Sequence, residues 1–359
     1  MIVAGLISGS SLDGLDVAIC DFETSTTGKV EHRVLYTQTI GFDEDLSEQL
    51  RRATKYDVKA LCQLEVSFSK FCAMAIKSIC ESEKIKLDYI SSHGHTVYHH
   101  PELGFTVQIG NGGMIAEQCG IPCISDLRQN DVALGGQGAP VAPIVEQYLL
   151  SGHDYYINLG GIANLSHHGP EGIVSFDNCP CNQVLNYYSQ IIGHPYDKDG
   201  LLARKGEVDE SLIQVLLSLP YFKQDFPKSM DNSWVTQSFI PIIQNHLSDP
   251  FIALATMVEF VALQLTKDAG VFSKPDGGRM TALPTGGGAL NTYLVERIQF
   301  HFNSQNIDLV LPSEEIINFK EAILIALMGY LRVIRIPNTI PSVTGAERPT
   351  IGGCIYWSQ

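Results

Sequence analysis

Residues 2–24 read IVAGLISGSSLDGLDVAICDFET, two apolar runs separated by the small-residue turn SGSSLDG at 8–14. Such a pattern predicts strand, turn, strand. It returns at 154–177, where DYYINL leads through GGIAN to GIVSFD, and a third glycine turn, TGGGALN at 285–291, follows the strand-like RMTALP. A turn with little side chain lets several backbone N–H groups point at one phosphate. Taken together, the three turns read as one nucleotide triphosphate site assembled from two lobes. The repeated strand, turn and strand reads as a diverged duplication.

Helices and strands alternate between these landmarks. VLYTQTI reads as a third strand, and from Val58 to Cys80 the residues Leu61, Leu64, Val66, Phe68, Phe71, Ala75 and Ile79 recur at near-helical spacing. DYISSHGHTVYHH reads as a strand leaving a polar loop, GMIAEQCG as a short helix closed by Gly120, and PCISD as a further strand. Asp249 and Pro250 begin a helix that Gly270 ends. The helix ALNTYLVERIQFHF is expected directly after the third turn. Ser313 is a plausible cap for SEEIINFKEAILIALMGYL, with Ile316, Phe319, Ile323, Leu327 and Tyr330 as its buried stripe. The order is that of an α/β protein. A chain of 359 residues exceeds what one core usually serves. Two lobes are therefore expected, the first from 1–145 plus 338–359 and the second from 146–337, with the stretch after Pro337 packing back on the first.

Charge and cysteine usage exclude several functions. The net charge of −15 leaves no basic surplus for nucleic acid or an anionic membrane. Nine cysteines, an odd number without a framework spacing, fit a reducing compartment. Met1 runs into IVAGLI without a basic leader, and the longest apolar stretch, AILIALMGYL from Ala322, is too short to span a bilayer. The expected location is the cytoplasm.

In the first turn Gly9 and Gly14 free the backbone and Ser8, Ser10 and Ser11 offer hydroxyls. Leu12 and Leu15 belong to the same nucleotide-binding stretch, and Asp13 or Asp16 could hold Mg²⁺, with Asp13 assigned as the metal ligand. Alone, the segment reads first as a hairpin turn. The second turn contributes Asn158, Gly160, Gly161 and Asn164. The third contributes Gly286, Gly287, Gly288 and Asn291, ahead of a positive helix end. No Walker lysine follows any of them and no GxGxxG opens a short strand-to-helix unit, which disfavours P-loop and Rossmann enzymes. His93, His95, His99 and His100 cluster, and Cys179 and Cys181 lie beside Asp177, without the paired spacing of a zinc site.

In order along the chain, SGSSLDGLDVAICDF, SHGHTVYHHP, VQIGNGGMIAEQCGIP, SDLRQNDVALGGQGAP, INLGGIAN, YDKDGLLARKG, LPTGGGALN, FKEAILIALMGYL and PSVTGA resemble the anhydro-N-acetylmuramic acid kinase family from end to end. The resemblance implies membership of the actin, hexokinase and Hsp70 ATPase superfamily. The fold is then a two-lobed actin-like, ribonuclease H-like α/β fold with an interlobe cleft. It implies a cytoplasmic enzyme of peptidoglycan recycling that uses ATP, Mg²⁺ and water to open the small-molecule sugar 1,6-anhydro-N-acetylmuramic acid. The products are the 6-phosphate and ADP. A homodimer is left open.

The resemblance also implies residue roles. Asp177 stands where the family's motif has the base that takes a proton from water; read from the residues alone, it is also an Asx turn or a cap for NQVLNYYSQII. Arg128 is expected to meet the lactyl carboxylate with its planar fork, the alternative being a surface ion pair. Glu321 matches an acidic residue near the sugar hydroxyls, or is a solvated helix face beside Lys320. His93 and His95 are expected near the sugar. Asp197 and Asp199 read first as turn formers. One departure stands beside the base, where DNCPCN replaces a common DTGPGN. A different local geometry is expected there, and with it two alternatives: another sugar or small-molecule kinase of the superfamily, or a nucleotide-binding paralogue without turnover.

Overall fold

The computed structural model of the chain describes residues 1–9, 12, 14–170, 172–226, 228–272 and 278–358. Contacts divide it into two units, Met1–Ser151 with Phe319–Gln359, and Gly152–Asn318. These bounds lie a few residues from 145/146 at the first crossing and assign 319–337 to the unit that holds the N-terminus.

In the first unit, β1 (Ile2–Ser8), β2 (Gly14–Thr24) and β3 (Val30–Gly41) form an antiparallel meander. Beside β1 lies β4 (Tyr89–His100), parallel to it, and β5 (Phe105–Ile109) returns antiparallel on β4. Next comes β6 (Cys123–Ser125), parallel to β4, flanked by the short strand β12 (Cys354–Tyr356). The second unit repeats the plan. Strands β7 (Tyr155–Leu159), β8 (Ile162–Gly169) and β9 (Gly172–Pro180) form the meander, and β10 (Met280–Thr285) and β11 (Ile307–Leu309) add in parallel beside β7. Setting aside β5 and β12, both sheets therefore place their strands in the order third, second, first, fourth, fifth. This shared order is the duplication that the repeated strand, turn and strand of the sequence predicts.

Each sheet has its own apolar core and a long helix between its third and fourth strands. Asp57 caps Val58–Glu83 in the first unit, and Asp249 caps Pro250–Ala269 in the second. The latter is the one described helix long and apolar enough to match a bilayer, and most of it lies inside the core of its unit. Its polar residues Glu259, Gln264 and Asp268 are buried with it.

Two expectations are corrected. The helix Glu314–Val333 does not show a narrow buried stripe: every residue from Ala322 to Leu331 except Gly329 is buried hydrophobic, whereas Ile316 and Phe319 are half-buried. The reason is close packing on the sheet. A Cβ on Gly5 of β1 would fall 2.0 Å from the carbonyl oxygen of Ala322, and one on Gly329 would fall 2.5 Å from Cβ of Ser91 in β4. The α-helix after the third turn begins at Thr292 rather than at Ala289, because the glycines continue into a 3₁₀ turn, Gly287–Leu290.

Candidate active site

The first glycine turn is the β1–β2 hairpin, closed by the Ser8–Leu15 pair. Within it, Leu12 takes a left-handed φ of 57° and its N–H reaches the carbonyl of Gly9 at 3.4 Å. Ser10, Ser11 and Asp13, the last with its expected role as metal ligand, lie outside the described residues. Gly14 is required by packing, since a Cβ there would meet the Ile40 carbonyl at 2.6 Å. Leu15 is a buried core residue, and the Asp16 carboxylate accepts the Thr39 hydroxyl at 2.5 Å across β2 and β3. Ser8 Oγ lies 3.1 Å from Nδ1 of His95.

Arg128 follows β6 and is held on two sides. Its Nε–H donates to Nε2 of His93 at 2.8 Å, and Nη1 donates to the Gly138 carbonyl at 3.0 Å. Nδ1 of His93 lies 3.2 Å from the Gly94 carbonyl, which fixes the tautomer with the proton on Nδ1 and uses both ring nitrogens within the protein. Burial, with the Arg128 charge beside it, pushes the His93 pKa down to about 3, so the ring is neutral at physiological pH. His93 therefore supports Arg128 rather than offering a nitrogen to a ligand. Burial lowers the Arg128 pKa, and Glu321, exposed on its helix, opposes part of that shift. Its neighbour Lys320 is buried, which lowers its pKa, and Glu146 opposes that shift.

In the second unit the two remaining turns adjoin. Gly160 and Gly161 form the β7–β8 hairpin, and the parallel β7–β10 register ends with Thr285 opposite Asn158. Asn158 also pairs with Asn164, so both asparagines sit at the rim where the turns meet. Gly286 has φ 80°, and a Cβ on it would fall 2.7 Å from Asn158 Oδ1 and 2.9 Å from the Leu159 carbonyl. On Gly288 a Cβ would fall 2.7 Å from Cβ of Leu159, whereas on exposed Gly287 the nearest atom is 3.8 Å away. Glycine carbonyls of the hairpin are used internally: Gly161 accepts from Cys181 and Gln183, and Gly160 from Asn182. Asn291 caps a helix, its Oδ1 accepting the Leu294 N–H at 3.0 Å. The carboxylate of Asp197 accepts the N–H groups of Leu202 and Ala203, and Asp199 has φ 57°, as turn formers do.

Asp177 lies on β9, paired with Asn164 and half-buried. Its Oδ2 accepts the Met230 N–H at 2.9 Å and the Ser229 hydroxyl at 3.3 Å, and its carbonyl accepts the Tyr221 hydroxyl at 2.7 Å. No described residue donates to Oδ1. It does not cap the helix Asn182–Ile191, whose N-cap is Cys181. Sequence reading misses Tyr221, Ser229 and Met230, which lie more than forty residues away; the PKSM run is the signal near them.

Neither cysteine beside Asp177 has a positive φ, but Cys181, at φ −133° and ψ −108°, lies outside the α and β regions, and both side chains enter the apolar core of the second unit. Burial raises both thiol pKa values, Cys181 to about 12. Both are held as protonated thiols. Among the described residues no group of three or more His, Cys, Asp or Glu side chains is arranged to hold a metal ion.

Comparison with known proteins agrees over the whole length. The chain is 33% identical over 376 residues to an anhydro-N-acetylmuramic acid kinase of Shewanella amazonensis, covering 98% of this chain and 97% of the relative. It is 32% identical over 383 residues to one of Microcystis aeruginosa, covering 99% and 100%. Among solved structures, the activator of the 2-hydroxyisocaproyl-CoA dehydratase from Clostridium difficile with bound ADPNP aligns with a TM-score of 0.44 at 12% identity, over 93% of this chain and 97% of that one. The sequence model described as anhydro-N-acetylmuramic acid kinase matches residues 1–358. With the match running from residue 1 to residue 358, the chain belongs to the anhydro-N-acetylmuramic acid kinase family.

Proposed function

We propose that this chain performs the reaction its family is named for: with ATP and water it opens 1,6-anhydro-N-acetylmuramic acid and yields N-acetylmuramic acid 6-phosphate and ADP. The observation that carries the reading is the asymmetry of Asp177. One carboxylate oxygen is anchored by Met230 and Ser229, and no described residue donates to the other. A carboxylate held this way has one oxygen oriented to receive a proton.

In the proposed sequence, Oδ1 of Asp177 takes a proton from water as its oxygen bonds to the anomeric carbon. The C1–O6 bond breaks and O6 takes the electron pair, then bonds to the γ-phosphorus as ADP leaves. ATP supplies the phosphoryl group. The rim at Gly160, Gly161, Gly286, Gly287 and Gly288 is proposed to take the polyphosphate, because Gly161 and Gly287 have room where a side chain would stand and so leave the backbone uncovered. Asn158 and Asn164 border that rim. Arg128, held by His93 and Gly138, is proposed to bind the lactyl carboxylate, and Glu321 the sugar hydroxyls. Mg²⁺ as companion of ATP, with Asp13 as its ligand, and a cytoplasmic setting belong to the same proposal.

The test is ADP release from purified protein with the anhydro sugar in water enriched in ¹⁸O. The reading expects label at C1 of the 6-phosphate and a loss of at least about a hundredfold in turnover for Asp177→Asn with ATP binding retained. Equal ADP release with a simple aldohexose, or full activity of Asp177→Asn, would overturn it.

A further inference from the structure

Beneath Asp177 lies a charged pair that the reaction does not use. Lys228 and Asp268 are joined at 3.1 Å, with side-chain exposures of 1% and 5%. The ammonium lies 5.3–5.6 Å from the ring centroids of Phe176, Tyr221 and Phe226, within cation–π range. The same Asp268 oxygen accepts Nδ2 of Asn178 at 2.9 Å. Asn178 reaches it because the β8–β9 register slips between Ala163 and Asn164, which pair with Cys179 and Asp177 and leave Asn178 as an extra, wholly buried residue. The neighbouring titratable groups are Tyr221 and Cys179, both with raised pKa values.

Lys228 also begins the segment that holds Asp177. Its carbonyl accepts the Asp177 N–H at 3.1 Å, and the next two residues supply both donors to Oδ2. A buried ion pair is a poor stability device, since apolar replacements of similar volume often match it. What this pair supplies is geometry, because it ties residues 228–230 at a fixed depth beside β9.

We infer that Lys228, locked by Asp268, is a positioning residue for Asp177, setting the strap 228–230 so that Oδ2 is the anchored oxygen and Oδ1 the proton acceptor. The inference rests on the reading of Asp177 as the base. Lys228→Met/Asp268→Asn removes both charges and leaves Asn178 a partner. In the purified protein it is expected to lower kcat about a hundredfold, as a misplaced catalytic group does. KM values for ATP and the anhydro sugar should stay within about threefold, as for a loss confined to the transition state. In the Asp177→Asn background the same replacement should lower kcat less than about twofold further.

A folded double variant with parental kcat overturns the inference. If that variant does not fold, Lys228→Arg decides, since it keeps the charge and changes its reach: a drop in kcat at unchanged KM supports the role and a parental profile removes it. The two readings separate cleanly. Activity retained in Asp177→Asn removes the base and this inference together, whereas loss in Asp177→Asn beside parental Lys228 variants removes the inference alone.

Discussion

Nε2 of His93 accepts the Nε–H of Arg128 at 2.8 Å, and the opposite ring nitrogen faces the Gly94 carbonyl at 3.2 Å. The imidazole is a strut: it orients the guanidinium fork and has no nitrogen left over.

Removing that strut tests the role of Arg128. His93→Ala is expected to raise the KM for the anhydro sugar about tenfold, the effect of losing a hydrogen bond to a charged group worth about 1.5 kcal/mol. The KM for ATP should be unchanged. Steady-state kinetics with each substrate varied in turn checks both.

The same residue makes stability depend on pH. His93 titrates near 3 in the folded chain against 6.5 for a free side chain. Between those values the unfolded chain binds a proton that the folded one refuses. Its stabilising effect is complete above about pH 6.5 and declines on acidification by at most about 1.4 kcal/mol per pH unit. His95, His99, His153 and His167 shift in the same direction. Thermal unfolding at pH 7 and pH 5 should show a drop in Tm that is smaller, though not abolished, in His93→Gln.

The third turn allows backbone fit to be separated from folding. Gly286→Ala combines a φ of 80° with a 2.7 Å collision and should cost about 1–3 kcal/mol. Gly287→Ala has room and should leave Tm within about a degree, as exposed substitutions usually do. A raised KM for ATP in Gly287→Ala, with Tm unmoved, is the expected sign that this turn lies against the nucleotide.

Asn291 provides the companion experiment. Because its side chain caps the helix Thr292–Phe302, Asn291→Ala should lower stability by about 1 kcal/mol in denaturant unfolding. Asn291→Asp, which keeps an acceptor at the cap, should restore most of it.

Local patterns are legible in the chain where they depend on neighbours in sequence. The hairpins around 8–14 and 158–164, the Asp249–Pro250 start and the Gly120 stop are all found where small residues and caps announce them. Illegible are the features made by partners far apart. Nothing in SHGH says that His93 meets a guanidinium 35 residues on, and PKSM gives no hint of an aspartate 40 residues away inside an apolar helix. The slip at Asn178 is equally silent, because alternation of side chains predicts a regular strand there. Helix Glu314–Val333 misleads for the opposite reason: Gly5 and Gly329 remove side chains from both surfaces, so the sheet approaches too closely for one stripe to suffice.

That Gly5 contact also dictates an order of assembly on the ribosome. Strand β1 is covered by a helix translated more than three hundred residues after it, while Gly152–Asn318 is one uninterrupted stretch whose core uses only its own residues. Domains usually mature from the N-terminus during synthesis. Here the stretch Gly152–Asn318 can finish first, and strand β1 must wait, its apolar surface uncovered, for that late helix to be made.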